Sequence, residues 1–143
     1  MTWSGACHCG NIAVVFESAS PAPAFEIRAC QCSFCRKHGA RAVSDPRGRV
    51  RVSVREPDAL VRYRFALRTA DFLLCARCGV YVAALLGDPG GSYATVNLNV
   101  LDGADEFSRA ATPVRYEGES EAERRARRVA RWTPASAVPD RAR

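Results

Sequence analysis

Residues 49–55 read Arg49-Val50-Arg51-Val52-Ser53-Val54-Arg55, with an apolar side chain at every second position. That period is the signature of a half-buried strand, because successive side chains leave a strand on opposite faces. The same alternation runs through Ile12, Val14 and Phe16, resumes at Phe25 and Ile27, and recurs at Val61, Tyr63, Phe65 and Leu67 between Arg62, Arg64 and Arg68. Val80 to Leu86 is almost wholly apolar, as expected of a strand covered on both faces. Ala94, Val96, Leu98 and Val100 form a further strand face opposite Thr95, Asn97 and Asn99. Asp45-Pro46-Arg47-Gly48 has the chemistry of a type I turn, and Asp88-Pro89-Gly90-Gly91 marks another. The expected fold class is mainly β, of twisted antiparallel sheets, with one C-terminal helix.

That helix is placed from about Glu119 to Arg131. Glu121–Arg125 and Glu123–Arg127 have the favourable i,i+4 order, and Ala122, Ala126 and Val129 supply a thin apolar stripe. On this reading the arginine run is a solvated helix face. With 143 residues, 48% hydrophobic and 25% charged, the chain has the material of one domain. It is expected over residues 1–132, with 133–143 as a flexible tail.

No apolar run approaches the ~18 residues of a membrane span. The opening Met1-Thr2-Trp3-Ser4 lacks the basic and apolar regions of a signal peptide, so the expected location is the cytoplasm, without membrane association. The net charge is +6 and the isoelectric point near 9.2, with Lys37 the single lysine among 21 basic residues. Two divalent cations on seven thiolates would lower that charge to about +3. A mild positive field of this size suits a small anionic substrate, and argues against nucleic acid as the partner.

Seven cysteines fall into three clusters: Cys7-His8-Cys9, Cys30-Gln31-Cys32-Ser33-Phe34-Cys35, and Cys75-Ala76-Arg77-Cys78-Gly79. An odd count in a reduced compartment, with C-x-C rings too tight for an unstrained disulfide, points to metal ligation. Thiolates select zinc, and a tetrahedron with Zn–S bonds of ~2.3 Å sets its sulfurs ~3.8 Å apart. C-x-x-C-Gly reaches that separation through a turn whose glycine is free to take positive φ, and C-x-C reaches it on extended chain. The usual four-cysteine iron–sulfur spacings are absent.

Seven ligands divide into four and three. Cys7, Cys9, Cys75 and Cys78 would close a structural zinc with four thiolates. Cys30, Cys32 and Cys35 would hold a second ion with a vacant position, as catalytic zinc requires. His38, three residues after Cys35, could instead close that second site as its fourth ligand. His8 is expected at the surface or beside the ligands. Arg36, Lys37 and His38 are candidates to stabilise or protonate an alkoxide, while Asn97 and Asn99 either line the pocket or serve as hydrogen-bonding strand residues.

Through Gly5-Ala6-Cys7-His8-Cys9-Gly10, Cys30 to Gly39, Phe72 to Gly79 and Val96 to Asp102, the chain resembles the glutathione-dependent formaldehyde-activating enzymes, a family that includes the centromere protein V homologues. The resemblance implies a twisted β fold around a structural zinc on Cys7, Cys9, Cys75 and Cys78. It implies a catalytic zinc on Cys30, Cys32 and Cys35, and with it a carbon–sulfur lyase that joins or parts a small thiol such as glutathione and a small aldehyde. Two other functions fit the residues: a zinc-stabilised interaction module using Arg49, Arg51, Arg62 and Arg64, and a thiolate metal or redox sensor.

Overall fold

The computed structural model describes residues 1–136. In chain order the elements are β1 (Thr2–Ala6), β2 (Ile12–Glu17), β3 (Arg28–Cys30), α1 (Ser33–His38), β4 (Ala42–Val43), β5 (Arg49–Val54), β6 (Leu60–Tyr63), β7 (Asp71–Cys75), β8 (Tyr81–Asp88), β9 (Gly91–Asn97), β10 (Thr112–Val114), α2 (Glu121–Arg131) and β11 (Thr133–Ser136). The architecture is mainly β, with two helices where one is expected from the sequence.

An antiparallel β1–β2–β5 set pairs Phe16 with Trp3 on one side and Val50 on the other. A second set, β6–β7–β8–β9, is an antiparallel meander. The far edge of β9 is shared end to end by β11, through Tyr93 and Ala94, and by β4, through Val96 and Asn97. Beyond β4 lie β3 and then β10, parallel to β3. β11 joins the two sets, because its second half runs parallel to β5. The sheet branches at β9 and does not close.

The core sits between the two sets. Ile12, Val14, Phe16, Val50 and Val52 meet Leu73, Val82, Val96 and Leu98, all at most 1% exposed. Each such side chain contributes roughly 1.5–3 kcal/mol by leaving water. A second cluster, Phe72, Tyr81, Ala84, Leu86 and Trp132, packs with Phe34, Phe65 and Val129 around α1 and α2.

Several expectations are corrected. Phe25 and Ile27 are buried but follow a 3-10 turn over Ala22–Ala24, and the strand begins only at Arg28. Leu98 and Val100 lie in a 3-10 turn capped by Asn97 rather than on a strand. In β6 the apolar positions Val61 and Tyr63 face outward, 42% and 48% exposed, because Arg62 and Arg64 turn inward to the buried Asp71, at 3.3 and 2.6 Å. The supposed arginine surface of the interaction-module reading is thus split, and only Arg49 and Arg51 of it are exposed. The helix forms as expected, with a Ser120–Glu123 capping box, but Ala122 and Ala126 are exposed and Arg128 is its buried residue. Thr133 is fully buried, and its Oγ1 accepts a hydrogen bond from the Asp45 N–H at 2.8 Å. The expected tail therefore begins with a strand; residues 137–143 lie outside the described ones.

Candidate metal centres and the cavity beside them

Two tight turns, one between β1 and β2 and one between β7 and β8, carry four cysteines. Cys7, Cys9, Cys75 and Cys78 converge, with their Sγ atoms all within 4.8 Å of one another. Cys7 and Cys9 stand 3.8 Å apart, and Cys9 and Cys75 3.5 Å, close to the edge of a thiolate tetrahedron. The Cys7–Cys9 segment is a turn rather than extended chain, and His8 on it is exposed. Gly10 and Gly79 follow the two cysteine pairs at φ +84° and +77°, where a side chain would be strained. The Ile12 N–H points at Cys7 Sγ, 3.3 Å, and the Arg77 N–H at Cys75 Sγ, 3.4 Å. Asn11 locks the same corner by exchanging two hydrogen bonds with the backbone of Glu56, whose carboxylate pairs with Arg77.

The second group is local. Cys30 ends β3, Cys32 caps α1 by accepting from the Cys35 N–H at 3.4 Å, and Cys35 is the buried residue of that helix. Their Sγ atoms also lie within 4.8 Å of one another, and His38 is not part of the group. Its ring instead packs 4.5 Å from Phe34 and 5.7 Å from Tyr81. Hydrogen bonds from Cys30 and then Cys35 hold Cys32 down to about 2, while the two donors are pushed above the ordinary thiol value. Three thiolates this close repel one another, and a divalent ion would offset most of that charge, so the donor set fits a thiophilic metal.

The trio opens on a cavity of about 230 Å³. Phe65, Phe72, Tyr81 and Trp132 supply apolar wall, and the charged lining is Arg28, Arg41, Arg124, Arg127 and Arg128 with one carboxylate residue, Glu117. Burial and the neighbouring negative cysteines push the Tyr81 phenol well up. Burial, then Arg127 and Arg124, hold Arg128 down to about 10. Asn97 is at the cavity and donates to the Tyr81 carbonyl at 2.9 Å, so it is both wall and brace. Asn99 is a brace alone, holding Arg41 and the Gly39 carbonyl at the end of α1, each at 2.8 Å. Arg36, Lys37 and His38 are exposed and line no part of the cavity.

The arginines, Tyr81 and Trp132 escape the sequence reading. A signal existed for three of them: Arg124, Arg127 and Arg128 have the 3- and 4-residue spacing of one helix face.

An open β scaffold with one four-thiol and one three-thiol group, the latter on a cavity, defines a class of thiolate-rich proteins able to hold metal beside a ligand pocket. Residues 2–114 match the family model of the glutathione-dependent formaldehyde-activating enzyme, and the chain belongs to that family. It is similar to the crystal structure of a Rhodobacter sphaeroides protein, at 29% identity and a TM-score of 0.57, covering 77% of this chain and 97% of that one. No curated protein matches the chain. Among the described residues, no helix is long and apolar enough to cross a membrane.

Proposed function

We propose that the chain is a zinc-dependent enzyme of the carbon–sulfur lyase type, cytoplasmic, forming or cleaving the adduct of a thiol such as glutathione with formaldehyde or a similar small aldehyde. The observation that carries this reading is the trio Cys30, Cys32 and Cys35 converging at the wall of a largely apolar cavity, with no fourth protein ligand grouped with it among the described residues. Zinc on these three sulfurs would supply a soft acceptor for an incoming thiol and favour its deprotonation. Cys7, Cys9, Cys75 and Cys78 would hold a structural ion, joining two turns far apart in the chain.

The apolar wall excludes water, which otherwise competes for the aldehyde and screens charge. As the thiol sulfur bonds to the aldehyde carbon, the carbonyl electron pair moves to oxygen, which must take up a proton. Tyr81 lines the cavity and stays protonated across the neutral range, so its hydroxyl is the donor we assign to that oxygen, in place of His38. The proton shed by the incoming thiol returns to the tyrosinate this leaves, and in the reverse direction the same transfers run backwards, the adduct's hydroxyl proton passing through the tyrosine to the departing thiolate.

The test is turnover of formaldehyde with a panel of thiols on metal-loaded protein. Cys32→Ser should retain the fold by circular dichroism and lose turnover. Loss of folding would reassign the trio to structure; full turnover in the variant would reject the reading.

A further inference from the structure

Helix α2 lies beyond the residues that match the family, yet it builds one wall of the cavity. Arg128, on its inner face, is 9% exposed. Nη1 donates to Thr69 Oγ1 at 2.6 Å, but the buried Nε has no hydrogen-bond partner among the described residues. Its cationic carbon lies 4.8 Å from the centre of the Trp132 ring, which fixes the guanidinium plane. On the β3 side of the cavity, Arg28 is held by two hydroxyls, Ser44 Oγ at 2.8 Å and Thr95 Oγ1 at 3.2 Å.

Neither guanidinium forms an ion pair with a carboxylate among the described residues. Arg124 and Arg127, by contrast, are both engaged by Glu119. Hydroxyls orient a guanidinium without neutralising it, and a cation as buried as Arg128, or half-buried like Arg28, is stabilised by an anion at hydrogen-bond distance. The Nε edge of an arginine matches the two oxygens of a carboxylate, with parallel N–H donors.

We infer that Arg28 and Arg128 form an anion subsite of this cavity, and that the thiol taken there is a mercapto acid whose carboxylate they bind. The inference rests on the proposed thiol chemistry for the sulfur end of that ligand, and on the arginines alone for the acid end. Scaling from the ~150 Å³ that hold benzene, the enclosed space takes roughly nine heavy atoms. That accommodates a short mercapto acid whole, or the cysteinyl part of a larger peptide thiol.

The experiment is titration calorimetry of the metal-loaded full chain with 3-mercaptopropionate, its methyl ester, and propionate, on wild type and on Arg128→Gln and Arg28→Gln. The acid should bind about 10- to 100-fold more tightly than the ester, the range of a charge-assisted hydrogen bond, and each substitution should close that gap. Equal binding of acid and ester to wild type, or no binding of either, overturns the subsite. Persistence of the preference in both folded variants overturns it as well. If a variant does not fold, the acid–ester comparison on wild type decides. Failure of the enzymatic reading is seen separately: no thiol supports formaldehyde turnover, while propionate still binds wild type and is lost on Arg128→Gln.

Discussion

Gly5 shows how much a single missing side chain can matter here. A Cβ at that position would lie 1.9 Å from the Val100 carbonyl oxygen, because β1 meets the Leu101 backbone in an isolated bridge. Both partners are backbone, so neither can swing away. Gly5→Ala should cost about 3 kcal/mol, the upper end of overpacking penalties, and lower the urea midpoint without changing the slope. Gly10 makes the contrasting case, since its Cβ would have room and only its φ of +84° is at stake. The cysteines were legible at this scale for a physical reason. A metal site needs sulfurs a few ångströms apart, and short C-x-C and C-x-x-C segments can bring pairs together whatever the rest of the chain does. The partition into four and three then needed only a cross-chain pairing. The cavity arginines were not legible, since the burial of a guanidinium depends on what covers it.

At the scale of elements, periodicity named the strands better than it aimed them. β6 alternates as expected, yet its polar side is the inward one, because Asp71 on the neighbouring β7 draws in Arg62 and Arg64. A two-residue period fixes two faces; a buried carboxylate on another strand chose between them here. Helix α2 repeats the lesson. Its span was readable from the Glu121–Arg125 and Glu123–Arg127 pairs, whereas its inward face is arginine rather than alanine. Glu119 is the pin of that face, since both Arg124 and Arg127 bond to it. Hydrogen bonding from Arg127 first holds its carboxyl below the ordinary value of 4.5. A depressed folded-state value means that the contribution is complete above the ordinary carboxylate range and is lost as pH falls through the lowered one. Glu119→Gln should therefore lower the melting temperature at pH 7 and flatten its fall between about pH 5 and pH 3. Identical acid limbs in variant and wild type would refute the role. Ser120→Ala, which removes the hydroxyl accepting the Glu123 N–H at 3.1 Å, should cost about 1 kcal/mol in chemical unfolding at any pH in that range.

At the scale of the molecule, two ties join the β1–β2–β5 set to the β6–β9 meander, and they differ in kind. One is β11, which pairs with β9 through its first residues and β5 through its last. The other is the four-cysteine group, which brings Cys9 to Cys75 across 66 positions of chain. Turn chemistry built each half of that group locally, but only the finished sheet holds the halves together, so a bound ion would stabilise the folded chain over the unfolded one. The three-cysteine group spans β3 and α1 alone and bridges no such gap. Losing an ion at one site should therefore act on stability, and at the other on ligand binding. Cys75→Ser should bind one metal equivalent fewer by elemental analysis and unfold about 3–5 kcal/mol more easily, or roughly 10–20 °C lower in melting temperature. Cys32→Ser should also lose one equivalent, yet melt within a few degrees of wild type. A chelator should reproduce the two effects in sequence, removing the ion at the trio first because three thiolates hold it where the other group offers four. Equal loss of stability in the two serine variants would show that the trio, too, holds the fold together.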